Sequence, residues 1–258
     1  DEYQPILTDI EDTCRRQNVP SSTIISEYGT GQFEVNLEHR EDPVRAADDA
    51  CLLRRIVQAV ARRHGMEATF LSKPFPDQAG SGLHVHASLL DATGENLFDD
   101  RSPQGQVMLG HAAAGLQATM AEGMAIFAPN INVFRRFEAN NFTPVTKDWG
   151  ENNRSVAFRV PVSSGASRRI EHRIAGAEAN PYLVIAAVLA GMQQHFGIEH
   201  AMIMMHDQVE GRLYTVASRG YPVSGIGSEV HLGEGVIGVA AQQGVPIRIG
   251  HMASEYSY

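Results

Sequence analysis

The sequence is poor in lysine, cysteine and tryptophan, and each shortage excludes something. Only Lys73 and Lys147 are lysines, against 19 arginines. The two cysteines, Cys14 and Cys51, are too few for a disulfide framework and leave no zinc motif. Excess positive charge is missing too. The formal net charge of -9 argues against nucleic acid or anionic membrane as a partner, since both draw affinity from a basic face. No apolar run approaches the roughly 20 residues of a membrane helix. The start carries no charged-then-apolar leader, so a cytoplasmic location is expected. The 258 residues include 43% hydrophobic and 20% charged side chains. That balance supports a packed core in one large domain or two small ones, and argues against general disorder.

Seven of the arginines fall between positions 135 and 173. Either the genome favours arginine codons, or the cluster recognises carboxylate or phosphate. The planar guanidinium fork suits those anions better than an ammonium does.

The hydrophobic pattern suggests a short helix and then two strands around a tight Gly29-Thr30-Gly31 turn. A helix follows with Asp42 as its cap, Pro43 in its first turn and Gly65 at its end. Val44, Ala47 and Cys51 are expected on its core face. Residues 68–90 read as extended, 105–127 as a helix and 155–174 as two strands joined by a loop. Leu116, Met120 and Met124 recur at helical spacing and read as core. Asn180-Pro181 opens an apolar helix to about Gln194. Near residue 196 the character changes. Met202–Met205 and Leu213–Ala217 read as a hairpin, and a glycine-rich stretch follows.

Several constellations bear chemistry. Glu27 and Glu34 flank the tight turn, either as solvated strand ends or as hard oxygen ligands suited to Mg2+ or Mn2+. His84 and His86 share a strand face after the permissive Gly80-Ser81-Gly82. In Arg169-Ile170-Glu171-His172-Arg173, alternation puts both arginines and Glu171 on one face. That set is either an ion-pair ladder or a metal ligand between anion binders. Together the inventory fits phosphoryl transfer to a carboxylate better than hydrolysis by a nucleophilic Ser or Cys. Gly233-Glu234-Gly235-Val236-Ile237-Gly238 matches a dinucleotide fingerprint. Too little chain follows it for a βαβ unit, so a dinucleotide site is not expected.

Four ordered segments resemble the glutamine synthetase superfamily. They are Ser26-Glu27-Tyr28-Gly29-Thr30-Gly31-Gln32-Phe33-Glu34, Gly80-Ser81-Gly82-Leu83-His84-Val85-His86, Asn152-Asn153-Arg154-Ser155 through Arg159, and Arg168-Arg169-Ile170-Glu171-His172-Arg173 with Ala179-Asn180-Pro181-Tyr182. The resemblance implies an α+β glutamine synthetase-type catalytic domain, an antiparallel sheet with flanking helices, truncated and covering residues 1–195. It implies ATP and Mg2+ or Mn2+ as cofactors. Glu27, Glu34, His84 and Glu171 would hold the metals. Gly80, Arg136 and Arg173 would bind glutamate. His86, Ser88 and Arg169 would contact ATP, with Arg154 and Arg159 on its phosphates and the transferred group. The implied chemistry is formation of γ-glutamyl phosphate, then attack by an amine.

Phe142 stands where ammonia-using members carry a flap glutamate, and Ala79 replaces an asparagine. With Phe134-Arg135-Arg136-Phe137, these departures look most like the γ-glutamylpolyamine synthetase branch. Phe142 then belongs to the amine side of the substrate site, and the amine is putrescine or another alkylamine. The family's N-terminal β-grasp domain and E-x-E strand have no counterpart before Glu27. In the family a neighbouring subunit closes each site, which implies a homo-oligomer. This chain alone is therefore expected to be inactive. Residues 196–258 resemble the start of a GAF domain, through Leu213 to Tyr221, Gly225 to Val230 and Gly233 to Ala240. That reading makes a partial α/β module and turns the glycine fingerprint into a loop entering a helix. His206, His231 and His251 read as ordinary residues. Three alternatives stay open: a non-catalytic glutamate- or nucleotide-binding regulator, a true glutamine synthetase using ammonia, or two genes joined in assembly.

Overall fold

Local signals at the N-terminal end are strong and produce the expected elements. A computed structural model describes residues 2–91, 93–139, 141–193, 201–219 and 226–244. Helix α1 spans Gln4–Arg16 and buries Ile6, Ile10 and Cys14. Strands β1 (Ser21–Ser26) and β2 (Phe33–Leu37) pair antiparallel, with Ile25 opposite Glu34. Helix α2 (Pro43–Arg63) starts at Asp42, whose side chain accepts from the Val44 and Arg45 amides. That cap satisfies two of the amides left without helical partners.

The buried stripe of α2 differs from the expected one. Val44 is exposed and Cys51 is half-buried, while Asp49 is buried. An ion pair explains the exchange: Arg40 Nε donates to Asp49 Oδ2 at 2.8 Å. A paired carboxylate thus takes a core position that pattern reading reserves for apolar side chains.

A four-stranded sheet orders β3 (Val85–Ala87), β6 (Ile170–His172), β5 (Phe158–Val160) and β4 (Trp149–Glu151). It is not wholly antiparallel as expected, because β4 and β5 run parallel. Each strand has only three residues. A short connection can therefore carry the chain back to its starting end without the usual long crossover. Asn152, with φ at 47°, makes that reversal immediately after β4.

Helices α3 (Pro103–Phe127) and α5 (Pro181–Gln193) pack together behind this sheet, and the single-turn α4 (Ile131–Phe134) follows α3. Leu109, Leu116, Val184, Val188 and Met192 join Phe158 and Ile170 in one core, with Met120 and Met124 packed against it. The helices approach closely at Gly115 and Gly191, where a β-carbon on Gly115 would run into the Gly191 carbonyl oxygen.

The chain divides into two compact units, Asp1–Phe196 and Gly197–Tyr258. In the second, β7 (Ala201–Asp207), β8 (Arg212–Arg219) and β9 (Glu229–His231) form an antiparallel sheet, followed by α6 (Gly235–Gln243). The expected hairpin is β7–β8. The glycine fingerprint is a loop entering α6, closed by Gly233 N–H to Gly238 O at 2.8 Å and Gly238 N–H to Glu234 O at 3.0 Å. His206 and His231 are exposed. Tyr221, Gly225 and His251 lie outside the described residues. Among the described residues, no helix is long and apolar enough to cross a membrane.

Candidate active site

Strand pairing brings the site together. In the β3–β6–β5 sheet, His86 lies opposite Glu171, and Glu171 lies opposite Arg159. Alternate residues share a face, so His84 and Arg173 join the same side. His172 points the other way. It is buried between Phe127 and Phe158, with ring centroids at 4.4 and 5.6 Å. Burial pushes its imidazole down to about 3 and keeps it neutral.

Glu171 is the hub. It is 2% exposed and is clamped by two guanidiniums. Arg159 Nη1 donates to Oε2 at 2.7 Å, and Arg173 Nη1 donates to Oε1. Burial raises the Glu171 carboxyl, but Arg173, His86 and Arg159 outweigh it and hold it below its ordinary range. His84 Nδ1 stands 3.3 Å from Oε1. Burial, then Arg173 and Arg136, push His84 well down. It is therefore neutral, the form that can ligate a metal. His86 is also lowered by burial, and its Nδ1 accepts from Arg169 Nε at 3.1 Å.

The hairpin adds two carboxylates. Glu34 lies opposite Ile25, and Glu27 follows two residues later, so both share a face. Burial raises the Glu34 carboxyl, and Glu27 and Glu171 raise it further. A half-buried carboxylate pressed by two like charges is where a divalent cation brings relief. By chemistry, Glu27, Glu34, Glu171 and neutral His84 are donors of the kind such an ion takes. Among the described residues no three His, Cys, Asp or Glu side chains gather as a ready cage. Glu171 spends its oxygens on arginines instead.

Gly80 and Arg136 are in contact. A β-carbon on Gly80 would lie 2.6 Å from Arg136 Cγ. The Arg136 guanidinium turns inward, donating to the Arg173 carbonyl at 2.6 Å and the Ile174 carbonyl at 2.8 Å. It thus braces the chain just after β6. Phe142, at φ 51°, meets the Tyr28 ring at a tilt of 55° with centroids 5.9 Å apart. Its carbonyl accepts from Arg173 Nη2 at 3.1 Å. A cleft of about 550 Å³ is lined by Phe142, Glu151, Asn152, Asn153, Arg154 and Ser155. No hydrogen bond among the described residues ties Ser88 or Arg154 to the Glu171 cluster.

Three contacts escape sequence reading. Gln32 Nε2 donates to Gly80 O and Ser81 Oγ, both at 3.0 Å, and so joins the hairpin turn to the glycine loop. Lys73, almost fully buried, donates to Gln78 O at 2.8 Å and to Glu138 Oε2 at 3.0 Å. Asn152 Oδ1 accepts from Arg159 Nη2 at 2.9 Å. Gln32 and Asn152 both sit inside motif segments, but the motifs do not give these contacts.

Comparison with known proteins matches residues 1–227 to the family model described as glutamine synthetase, catalytic domain. The match runs past the division at residue 196. The chain is 39% identical over 209 residues to gamma-glutamylputrescine synthetase PuuA of Escherichia coli K12, covering 81% of this chain and 44% of that protein. It is 36% identical over 215 residues to glutamate–isopropylamine ligase of a Pseudomonas species, covering 82% and 46%. The chain thus spans less than half the length of these relatives. A solved structure described as apo GmaS without ligand is similar with a TM-score of 0.64 at 29% identity, covering 75% of this chain and 45% of that one. The match over residues 1–227 shows that the chain belongs to the glutamine synthetase catalytic-domain family.

Proposed function

We propose that this chain carries catalytic machinery of an ATP-dependent ligase that joins the γ-carboxyl of glutamate to an amine larger than ammonia. The carrying observation is Phe142. An aromatic ring in tilted contact with Tyr28 stands where a flap carboxylate serves ammonia, and it offers apolar surface to an alkyl chain. The named relatives act on putrescine and isopropylamine, which supports the same reading. A divalent metal supplies charge neutralisation for phosphoryl transfer when bound. Glu27, Glu34, His84 and Glu171 would hold it. Arg159 and Arg154 would meet the phosphates. His86, Ser88 and Arg169 would meet the rest of ATP, and Gly80, Arg136 and Arg173 the glutamate. The working form is a homo-oligomer in the cytoplasm.

We also read residues 196–258 as the opening part of a GAF module. The β7–β8–β9 sheet and the loop into α6 support this. The family match as far as residue 227 overlaps its first half.

Titration calorimetry with L-glutamate, magnesium and a non-hydrolysable ATP analogue, followed by amines, tests the ligase reading. Putrescine or isopropylamine is expected to bind the ternary complex in preference to ammonium. Ammonium binding with no response to alkylamines would overturn the assignment of the amine.

A further inference from the structure

Among the described residues, three other than glycine have a left-handed backbone: Asn18, Phe142 and Asn152. Two of them each hold one of the arginines that clamp Glu171. Phe142 holds Arg173 through its carbonyl, and Asn152 holds Arg159 through its side chain. Left-handed backbone carries strain for a side-chain-bearing residue, and such strain gathers at functional sites.

Asn152 is the more informative of the two. Its backbone alone would make the turn between β4 and β5, and its N–H donates to Val160 O at 2.8 Å. Glycine would make that turn with less strain. The side chain does something else. Its oxygen fixes Arg159 Nη2 at 2.9 Å while Nη1 is fixed on Glu171 at 2.7 Å. Arg159 Nε is buried with no partner. A guanidinium pinned at both outer nitrogens keeps one orientation; Asn152 itself lines the 550 Å³ cleft with Arg154, and Arg159 lies behind it. Because the carboxamide is neutral, it orients the cation without adding a second negative charge to that of Glu171.

We propose that Asn152 is a positioning residue that fixes the orientation of Arg159 beside Glu171, and so the way Arg159 meets a phosphate. The inference rests on the ligase reading in one respect, that Arg159 meets phosphate. The test titrates the 258-residue chain with inorganic pyrophosphate by calorimetry. It compares the wild type with Asn152→Gly, which keeps the turn, and Asn152→Asp, which keeps the acceptor but adds negative charge. Asn152→Gly is expected to weaken binding roughly tenfold, the scale of one hydrogen bond to a charged group, without lowering the melting temperature. Asn152→Asp is expected to weaken it at least as much, because a carboxylate neutralises Arg159. A purely structural role moves neither affinity. Wild-type binding with both variants unchanged would overturn this inference and leave the ligase reading standing. No pyrophosphate binding by the wild type would overturn this inference and leave the ligase reading to the amine titration. Binding that depends on Asn152, with a ternary complex that accepts no amine, would leave the inference standing and remove the ligase reading.

Discussion

Arg159 Nη1 meets Glu171 Oε2 at 2.7 Å across adjacent strands, and the carboxylate it meets is 2% exposed. Arg173 takes the other oxygen. Removing one partner of such a buried arrangement leaves uncompensated charge, so Glu171→Gln should lose about 3–5 kcal/mol in urea denaturation. The pH dependence has a definite sign. The folded Glu171 carboxyl lies below its ordinary value of 4.5. Its stabilisation is therefore complete above pH 4.5 and is lost as pH falls through the depressed folded value. In Glu171→Gln this part of the acid-side slope should vanish. An unchanged slope would mean that the clamp does not hold in solution.

Glu34 has the opposite sign. Burial, with Glu27 and Glu171, raises its folded carboxyl above 4.5. The native state then carries no penalty below pH 4.5 and a growing one as pH rises through the raised value. Glu34→Gln should accordingly match the wild type in acid and be more stable at neutral pH. Manganese should reverse the order. At a hundredfold excess over its dissociation constant it stabilises the wild type by about 2.7 kcal/mol. It should do far less for Glu34→Gln. Equal manganese shifts in melting temperature would exclude Glu34 as a ligand.

The α3–α5 crossing gives a test of packing. A β-carbon on Gly115 would collide with the Gly191 carbonyl, whereas Gly110 on the same helix has open space. Gly115→Ala should destabilise by about 1–3 kcal/mol. Gly110→Ala should be neutral or stabilising by up to about 1 kcal/mol. Chemical denaturation of the pair separates close approach from helix propensity. Equal effects would count against the crossing.

How much of this was legible in the sequence follows from the range of each interaction. Asp42 and Pro43 announce α2 because a cap acts within three residues. The alternation of Arg169, Glu171 and Arg173 predicts their shared face because strand geometry has period two. Glu27 and Glu34 were legible as a pair for the same reason, once the tight turn was seen. The parallel β4–β5 pairing was not legible, because three-residue strands carry no periodic signal of direction. Nor was the inward turn of Arg136, whose partners are carbonyls 37 to 39 positions away. Asn152 combined both difficulties, since its left-handed backbone and its bond to Arg159 exist only in the folded chain.

Lys73 provides the last prediction, and its pairing spans 65 positions. The ammonium side chain is 3% exposed while its partner Glu138 is 49% exposed. The two ends of the ion pair are therefore unequal. Removing the exposed end leaves the buried ammonium without its counter-charge, which is the costly way to break such a pair. Removing the buried end leaves Glu138 in water and strips only the Gln78 carbonyl of its donor. Glu138→Gln should thus destabilise at least as much as Lys73→Met in thermal or urea unfolding. Asn141 Nδ2 also donates to Glu138 Oε2 at 2.8 Å, so Glu138 links the buried lysine to the segment that carries Phe142. Hydrogen exchange at the Phe142 amide should rise in both variants. If exchange there is unchanged while stability falls, the Lys73–Glu138 pair holds its own loop and not the aromatic residue at the site.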